Sequence, residues 1–262
     1  MDNKINNLGL PLEYQQIPEY FDIHNISGET NAKNAVIDHL LRKQNVKTVL
    51  DMTCGSGSQV FYLNERGYQI KGSDFSPALL RQARKKAKEQ NLDLTFIDGD
   101  MRNLHVGQFD AVITMFNAIG HVNKPDFAKT MLNIHENLKD GGIYIFDIFN
   151  LSAITDEVID SFKMDIQTTK DGIKISNQQH SEINRENRLL TSHDRYTITK
   201  KGCEPEIFTN SFSLQIYTAQ ELKAMLEQIG FELVYQYDVY GNEFIADKSL
   251  NILTVGRKKL LK

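Results

Sequence analysis

The spacing of apolar residues alternates along the chain between runs typical of buried strands and runs typical of amphipathic helices. Residues 47–52, "KTVLDM", form a short apolar run that predicts a buried strand. Residues 76–91, "SPALLRQARKKAKEQN", repeat their apolar positions at helical spacing, with Ser76 as the N-cap and Pro77 at the first helical position. Strands that alternate with helices in this way predict a doubly wound, mostly parallel sheet with crossover helices.

Capping residues predict where two further helices begin or end. Residues 34–43, "NAVIDHLLRK", lie on a helix for which Thr30 is the candidate N-cap. Residues 125–139 form a second helix, which Gly141 and Gly142 are expected to stop before the next strand.

The pattern changes after residue 151 and returns after residue 216. Asp171 and Gly172 lie between two β-like runs, which is a strong hairpin signal, and further strand-like runs follow. Residues 152–216 are therefore interpreted as an antiparallel β insertion in a core of residues 31–151 and 217–262. The chain ends on two strand-like runs without a helix between them, which predicts an antiparallel hairpin at the edge of the sheet.

The composition limits the classes of partner and compartment. The chain has 262 residues, of which 40% are hydrophobic, so it can bury the core of one sizeable domain. Its net charge of −4 gives no general basic field, so neither nucleic acid nor a membrane is an expected partner. Two cysteines make neither a disulfide framework nor a zinc set, and no signal peptide or membrane span is evident. A cytoplasmic protein without a metal is expected.

A glycine-containing turn follows the first predicted strand in "VLDMTCGSGS", residues 49–58. Gly55 and Gly57 lack the Cβ atoms that would keep a ligand away from the backbone. The dinucleotide fingerprint requires a third glycine, and Val60 stands at that position. Asp51 would repel a pyrophosphate but suits a cationic amino group, as in S-adenosylmethionine. A nicotinamide-dependent oxidoreductase is therefore the weaker alternative.

The next two strands also end in acidic residues. Asp74, at the end of the second strand, can accept hydrogen bonds from both hydroxyls of an adenosine ribose. Asp100 follows the third strand and could accept the adenine amino group, while Met101 packs on the ring. Three contacts to one nucleoside are thus predicted at successive strand ends.

These motifs together resemble the class I S-adenosylmethionine-dependent methyltransferases. The resemblance rests on "VLDMTCGSG", "IKGSDFS", "DGDM", "FDAVITMFNAIGHV" and "LKDGGIYIFDI". Within that superfamily the chain is similar to the small-molecule branch of sugar N,N-dimethyltransferases and glycine-type N-methyltransferases. The resemblance implies a seven-stranded Rossmann-like sheet, S-adenosylmethionine as cofactor and S-adenosylhomocysteine as product. It implies cofactor contacts at Asp51, Cys54, Gly55, Ser56, Gly57, Asp74, Phe75, Asp100, Met101, Met115, Phe116 and Asn117.

The residues that serve the methyl acceptor are predicted less directly. Direct displacement at a sulfonium depends on positioning, and a base is needed only where the acceptor carries an extra proton. His121, in the loop after the fourth strand, and Tyr20, in an N-terminal segment (1–30) that can fold as a lid, are the preferred catalytic candidates. Further candidates are Tyr14, His24, His180, His193 and Arg195.

Other interpretations of these residues stay open at this point. His121 could be an ordinary loop residue, Cys54 an inert small side chain, and Tyr14 and Tyr20 apolar anchors of the N-terminal segment. The preferred function is methyl transfer to a small-molecule acceptor, with an amine as the favoured class. A non-catalytic module that binds the nucleoside is the remaining alternative. The exposed insertion would also allow two subunits to pair as a homodimer.

Overall fold

The protein is described by a computed structural model that covers residues 8–25, 27–170 and 172–260. The side chains of His24, Asn25 and Lys170 are outside this description, so the predicted role of His24 is outside it as well. The strands are β1 (Thr48–Asp51), β2 (Gln69–Asp74), β3 (Thr95–Asp98), β4 (Phe109–Thr114), β5 (Leu138–Phe149), β6 (Met164–Lys170), β7 (Ile173–Asn184), β8 (Leu189–Lys200), β9 (Glu206–Gln215), β10 (Phe231–Tyr237) and β11 (Asn251–Lys258).

Helices connect most of the strands of the core. They are α1 (Phe21–Asn25), α2 (Gly28–Lys43), α3 (Ser58–Asn64), α4 (Pro77–Glu89), α5 (Lys124–Glu136), α6 (Asp156–Ser161) and α7 (Ala219–Ile229), and short 3-10 turns occupy Leu12–Tyr14, Pro18–Tyr20 and Ala118–His121. None of the helices in the described part of the chain is long and apolar enough to cross a membrane.

The central sheet has seven strands in the order β10-β11-β5-β4-β1-β2-β3. Strands β1 to β5 pair in parallel, whereas β11 runs antiparallel to both β5 and β10. The predicted fold class and the terminal antiparallel pair are confirmed. The strand order reverses between β1 and β4, and ligands in such sheets bind beyond the carboxyl ends of the strands at that point. We call this side of the sheet the carboxyl edge.

Both faces of the central sheet are covered. Val49 and Leu50 are neighbours in β1 whose side chains point to opposite faces, and each is 0% exposed. Val49 packs in a cluster with Ile37 and Leu80, and Leu50 packs in another with Phe127. Burial of each such side chain contributes about 1.5–3 kcal/mol, so the two clusters hold the helices against the sheet.

A second sheet contains the antiparallel strands β6-β7-β8-β9 in sequence order. Lys170 pairs with Ile173, so a hairpin forms where the sequence predicts one, although Asp171 is outside the described residues. On its inner face, buried residues such as Tyr196 and Ile198 pack against the N-terminal segment. The alternate residues of β7 and β8 point to the opposite, outer face.

Two predicted helix ends are wrong. Helix α2 begins at Gly28, and the backbone N–H of Ser27 donates to Thr30 Oγ1 at 3.0 Å, so Thr30 supports the first turn from inside the helix. Helix α5 ends at Glu136, with Asn137 as its C-cap. The two glycines after it belong to β5, where a Cβ on Gly142 would lie 2.8 Å from the Lys139 carbonyl oxygen. Close backbone approach, and not helix termination, explains Gly142.

Candidate active site

The glycine turn connects β1 to α3 at the carboxyl edge. Gly55 and Gly57 have φ angles of 52° and 93°, in the left-handed region that favours glycine. A Cβ on Gly57 would lie 2.8 Å from the Phe61 ring. The Gly57 N–H donates to the Cys54 carbonyl at 2.8 Å, which closes the turn. The turn therefore keeps backbone, and not side chains, at the end of β1.

Asp51 is the last residue of β1 and is 1% exposed. Its Oδ1 accepts from the Thr53 N–H at 3.2 Å. Among the described residues, its Oδ2 and the Thr53 hydroxyl are buried without a hydrogen-bond partner. Burial raises the pKa of Asp51 to about 8, although the Thr53 N–H opposes this shift. A cationic ligand group would satisfy the free oxygen and favour the ionised form.

Asp74 ends β2 beside the same turn. Its Oδ2 accepts from the Gly55 N–H and its Oδ1 from the Ser76 N–H, each at 2.8 Å. Burial raises the pKa of Asp74 to about 6, and these N–H groups oppose the shift. Each carboxylate oxygen has a second lone pair, so the side chain can still accept from a ligand hydroxyl.

The residues predicted to surround an adenine lie at the ends of β2 and β3. Phe75 is 42% exposed, and the Met101 carbonyl accepts from Asn133 Nδ2 at 3.0 Å. Asp100 is bound by Arg102, whose Nε donates to its two carboxylate oxygens at 3.0 and 2.9 Å. This ion pair was not predicted from the sequence, although Arg102 is only two residues from Asp100.

Cys54 and Met115, both predicted to contact the cofactor, are buried near the strand ends. Cys54 is 3% exposed, and its N–H donates to the Ser73 carbonyl at 2.9 Å. Burial raises the pKa of its thiol, which keeps it protonated and unreactive at neutral pH. Met115 is 5% exposed and packs in the same cluster as Cys54.

The N-terminal segment covers the glycine turn. Ser56 Oγ donates to Asp22 Oδ1 at 2.5 Å, and Lys86 Nζ lies 2.5 Å from the other oxygen of the same carboxylate. The Phe21 ring lies against Gly55, 3.4 Å from the position that a Cβ would occupy there. Ser76 Oγ also donates to the Tyr14 carbonyl at 2.5 Å. Helix α1 and the residues before it therefore form one wall of the site.

Tyr14 and His121 meet at the carboxyl edge, although 107 positions separate them in the chain. Tyr14 Oη lies 3.2 Å from His121 Nε2, and their ring centroids are 5.3 Å apart. Burial lowers the pKa of His121 to about 4 and raises that of Tyr14 well above its usual range. Both groups are therefore neutral at pH 7. Phe212 of the second sheet lies beside the His121 ring, at 5.9 Å between centroids.

The other acceptor-side candidates lie elsewhere. Tyr20 is 5% exposed in an apolar cluster with Leu12 and Ile198, so it contacts the second sheet and is not part of the Tyr14–His121 contact. His193 lies on the outer face of the second sheet, where its Nδ1 is 2.7 Å from Ser211 Oγ and its ring stacks on His180 at 4.7 Å. Arg195 is on the same outer face. A catalytic role for Tyr20 or His193 stays a prediction.

Two site residues were missed by the sequence analysis. Asp147 of β5 is 1% exposed, and its Oδ1 accepts from the Asn117 N–H at 3.3 Å. Lys33 of α2 lies with its Nζ 5.5 Å from the centroid of the Phe116 ring. Asp147 could have been found from the sequence, because it is an acidic residue near the carboxyl end of a predicted strand, like Asp51 and Asp74.

The proteins and the family model that this chain resembles are methyltransferases. Residues 49–142 match the family described as a methyltransferase domain. The dTDP-3-amino-3,4,6-trideoxy-alpha-D-glucopyranose N,N-dimethyltransferase of Streptomyces venezuelae is 22% identical over 196 residues, which cover 74% of this chain and 79% of that protein. The glycine/sarcosine N-methyltransferase of Parasynechococcus marenigrum is 32% identical over 119 residues, which cover 44% and 42%.

The fold has counterparts among solved structures. The sugar N-methyltransferase from Streptoalloteichus matches 99% of this chain and 97% of its own length, with a TM-score of 0.79 and 17% identity. At this identity the match supports the fold alone. It extends over the central sheet and the second sheet together.

Proposed function

We propose that this chain, which is an S-adenosylmethionine-dependent methyltransferase, transfers the methyl group to a nitrogen atom of a small-molecule amine. The relatives named above are N-methyltransferases of small molecules. The observation that carries the proposal is the contact between Tyr14 and His121, two neutral groups 3.2 Å apart at the carboxyl edge.

The carboxyl edge fits the cofactor. Asp51 Oδ2 and the Thr53 hydroxyl are buried without a partner among the described residues, and such groups are costly unless a ligand satisfies them. We assign the methionine ammonium to Asp51 and the ribose hydroxyls to Asp74. Lys33 is a candidate for the methionine carboxylate. When bound, the cofactor supplies a methyl group on a sulfonium leaving group.

The remaining cofactor contacts follow from position at the strand ends. The backbone of the glycine turn would border the methionine part, Asp100 the adenine amino group, and the turn after β4 the sulfonium. The residues proposed for these contacts are Cys54, Gly55, Ser56, Gly57, Phe75, Asp100, Met101, Met115, Phe116 and Asn117.

Tyr14 and His121 are proposed to orient the acceptor. An amine attacks with its own lone pair, so the site must hold the nitrogen in line, and the surplus proton of the ammonium product is released to solvent. His121 is neutral at pH 7 because burial lowers its pKa to about 4, and a neutral imidazole can accept a hydrogen bond from an amine N–H. The Tyr14 hydroxyl can orient the same nitrogen.

The second sheet and the N-terminal segment are proposed to enclose the acceptor. Leu214 of β9 packs against Gly120, at 3.2 Å from the position of a Cβ, and Phe212 lies beside His121. We therefore assign residues 1–30 to a lid, 31–151 and 217–262 to the cofactor-binding core, and 152–216 to an acceptor-side cap.

Two further expectations concern the environment of the protein. Cys54 and Cys203 are free thiols, which supports a reducing compartment such as the cytoplasm. The outer face of the second sheet carries both charge signs, with Glu182 and Arg195 on it, and would allow two copies to pair as a homodimer. Sedimentation of an Arg195→Glu variant would test that pairing.

The function is tested with matched acceptors. The protein is incubated with S-adenosylmethionine and either amino sugars and glycine or their hydroxyl analogues, and products are identified by mass. We expect methylation of at least one amine, loss of turnover in Tyr14→Phe and His121→Gln, and normal turnover in the control His39→Gln, which changes an exposed histidine of α2. Methylation of the alcohols in preference, or full activity of His121→Gln, would contradict the proposal.

A further inference from the structure

The turn between β4 and the Ala118–His121 3-10 helix has an uncommon backbone. Phe116 and Asn117 are consecutive left-handed residues, with φ of 61° and 60°. In the described ranges, the other non-glycine residues with positive φ are isolated from one another: Asn45, Asn91 and Arg188. Residues with a Cβ are destabilised in this conformation, so contacts with neighbouring groups must stabilise the turn.

Two side chains bind the turn at Asn117. The Asp147 carboxylate accepts from its backbone N–H at 3.3 Å. Asn251, at the start of β11, donates from Nδ2 to its side-chain oxygen at 3.3 Å. Asn251 is paired with Phe149 of β5, so both groups come from adjacent strands of the central sheet. A rigid element therefore fixes the strained residues.

Charge strengthens this arrangement. Burial raises the pKa of Asp147 to about 6, against the positive charge of Lys33 and the N–H groups of Asn117 and Phe116. The carboxylate form is therefore favoured at neutral pH. Lys33 Nζ, which is paired with Glu29 at 2.9 Å, lies 5.5 Å from the centroid of the Phe116 ring, so a positive charge also faces the turn.

The turn leads directly to His121. The Asn117 carbonyl accepts from the Gly120 N–H at 2.9 Å, inside the 3-10 helix that ends at His121. We infer that Asp147 is a positioning residue that fixes the Phe116–Asn117 turn and thereby the placement of His121 toward the methyl acceptor. This inference rests on the proposed function. Asp147 is 1% exposed and acts through the turn, without touching the substrate.

The kinetic constants of Asp147→Asn test this role. The amide keeps the shape but loses the negative charge, so kcat with an amine should fall at least about tenfold. The turn also borders the proposed position of the sulfonium, so KM for S-adenosylmethionine is expected to rise, but by a smaller factor than kcat falls. Asp110→Asn is the matched control, because Asp110 also accepts backbone N–H groups but lies at the opposite edge of the sheet. Its kcat should be normal. An unchanged kcat in Asp147→Asn would overturn the inference.

Asn251 provides a second test of the same turn. Asn251→Ala removes the hydrogen bond to the Asn117 side chain, so kcat should fall by a larger factor than any rise in KM for S-adenosylmethionine. This variant also tests the inference if Asp147→Asn fails to fold. A normal kcat in that variant would contradict the inference.

The titration of His121 provides a test without an acceptor. NMR of histidine-labelled protein measures the pH at the midpoint of the His121 titration in the wild type and in Asp147→Asn. The spectrum of His121→Gln assigns the His121 signal. The wild-type pKa is about 4, and a displaced ring should titrate closer to 6.5. An identical midpoint in both proteins would overturn the inference. If the wild type methylates no amine, the proposed function fails, and this titration still decides the role of Asp147.

Discussion

The aspartates at the two ends of the central strands have pKa values that are shifted in opposite directions. At the carboxyl edge, Asp51, Asp74 and Asp147 are buried, and burial raises the pKa of each. On the opposite side of the sheet, where the parallel strands begin and which we call the amino edge, Asp110 lies near the start of β4. Burial also disfavours its ionised form, but Lys139 at 2.8 Å and backbone N–H groups outweigh burial and lower the pKa to about 2.

The opposite pKa shifts arise from the hydrogen-bond and ion-pair partners of each aspartate. Asp110 has a cation and the N–H groups of Lys47 and Thr48, so its charge is balanced by the protein itself. Asp51 has one oxygen without a partner in the described parts of the chain. A buried acid that the fold leaves unbalanced marks a functional site more clearly than its burial alone.

The largest expected effect is on the acceptor side of the carboxyl edge. His121→Gln should lower kcat about a hundredfold, because misplacement of the acceptor nitrogen by about 1 Å has an effect of that size. Affinity for S-adenosylmethionine should stay within about threefold. Rapid-quench measurement of a single turnover checks this prediction, and a rate equal to that of the wild type would remove His121 from the chemistry.

A smaller effect is expected for the cofactor acid at the end of β2. Asp74→Ala should weaken S-adenosylmethionine binding at least about tenfold, because buried ribose hydroxyls would lose a charge-assisted acceptor. Asp98→Ala is the matched control, since Asp98 ends β3 but is 53% exposed in its side chain and paired with Arg84. Equilibrium dialysis with labelled cofactor compares the two. Equal losses in both variants would contradict a specific role for Asp74.

The two edges should also respond oppositely to pH. The folded pKa of Asp51 is raised to about 8, so its contribution to the stability of the ligand-free protein is present below about pH 4 and lost as pH rises toward 8. Asp51→Asn should therefore raise Tm at pH 8 relative to the wild type. Thermal unfolding followed by circular dichroism from pH 5 to pH 8 tests this, and parallel curves for the two proteins would contradict it.

The smallest functional effect is expected at the amino edge. Asp110 has its pKa lowered to about 2, so its contribution to stability is present at neutral pH and is lost as pH falls toward 2. Asp110→Asn should lower the free energy of unfolding by about 1–3 kcal/mol at pH 7, and leave cofactor affinity unchanged. Urea denaturation and a binding assay on the same sample check both parts. A loss of cofactor affinity would show that the two edges are not independent.

Much of the fold was predictable because its signals are local. Strands β1 and β4 are short apolar runs, and Ser76 caps α4 by accepting from the Leu79 N–H at 3.2 Å. The two wrong helix ends also have explanations in nearby residues. Ser27 and Thr30 are both capping residue types and act together at the start of α2. At Gly142, the path of β5 brings the Lys139 carbonyl close to the position that a Cβ would occupy.

The candidate site was predictable only in part. The acids at the ends of β1 and β2 follow directly from the strand pattern. The Tyr14–His121 contact does not, because the N-terminal segment must first pack on the second sheet and on α4. The sequence does not distinguish Tyr14 from Tyr20, because only the folded segment places Tyr14 beside His121 and Tyr20 in the apolar cluster on the second sheet.

Calorimetric titration of the wild type, Asp51→Asn and Asp110→Asn with S-adenosylmethionine, with NADH as a second ligand, decides whether the carboxyl edge holds the cofactor. We expect S-adenosylmethionine to bind the wild type and Asp110→Asn with equal affinity, and Asp51→Asn at least about tenfold more weakly. NADH should not bind. Equal affinity in all three proteins, or binding of NADH alone, would contradict the assignment of the carboxyl edge.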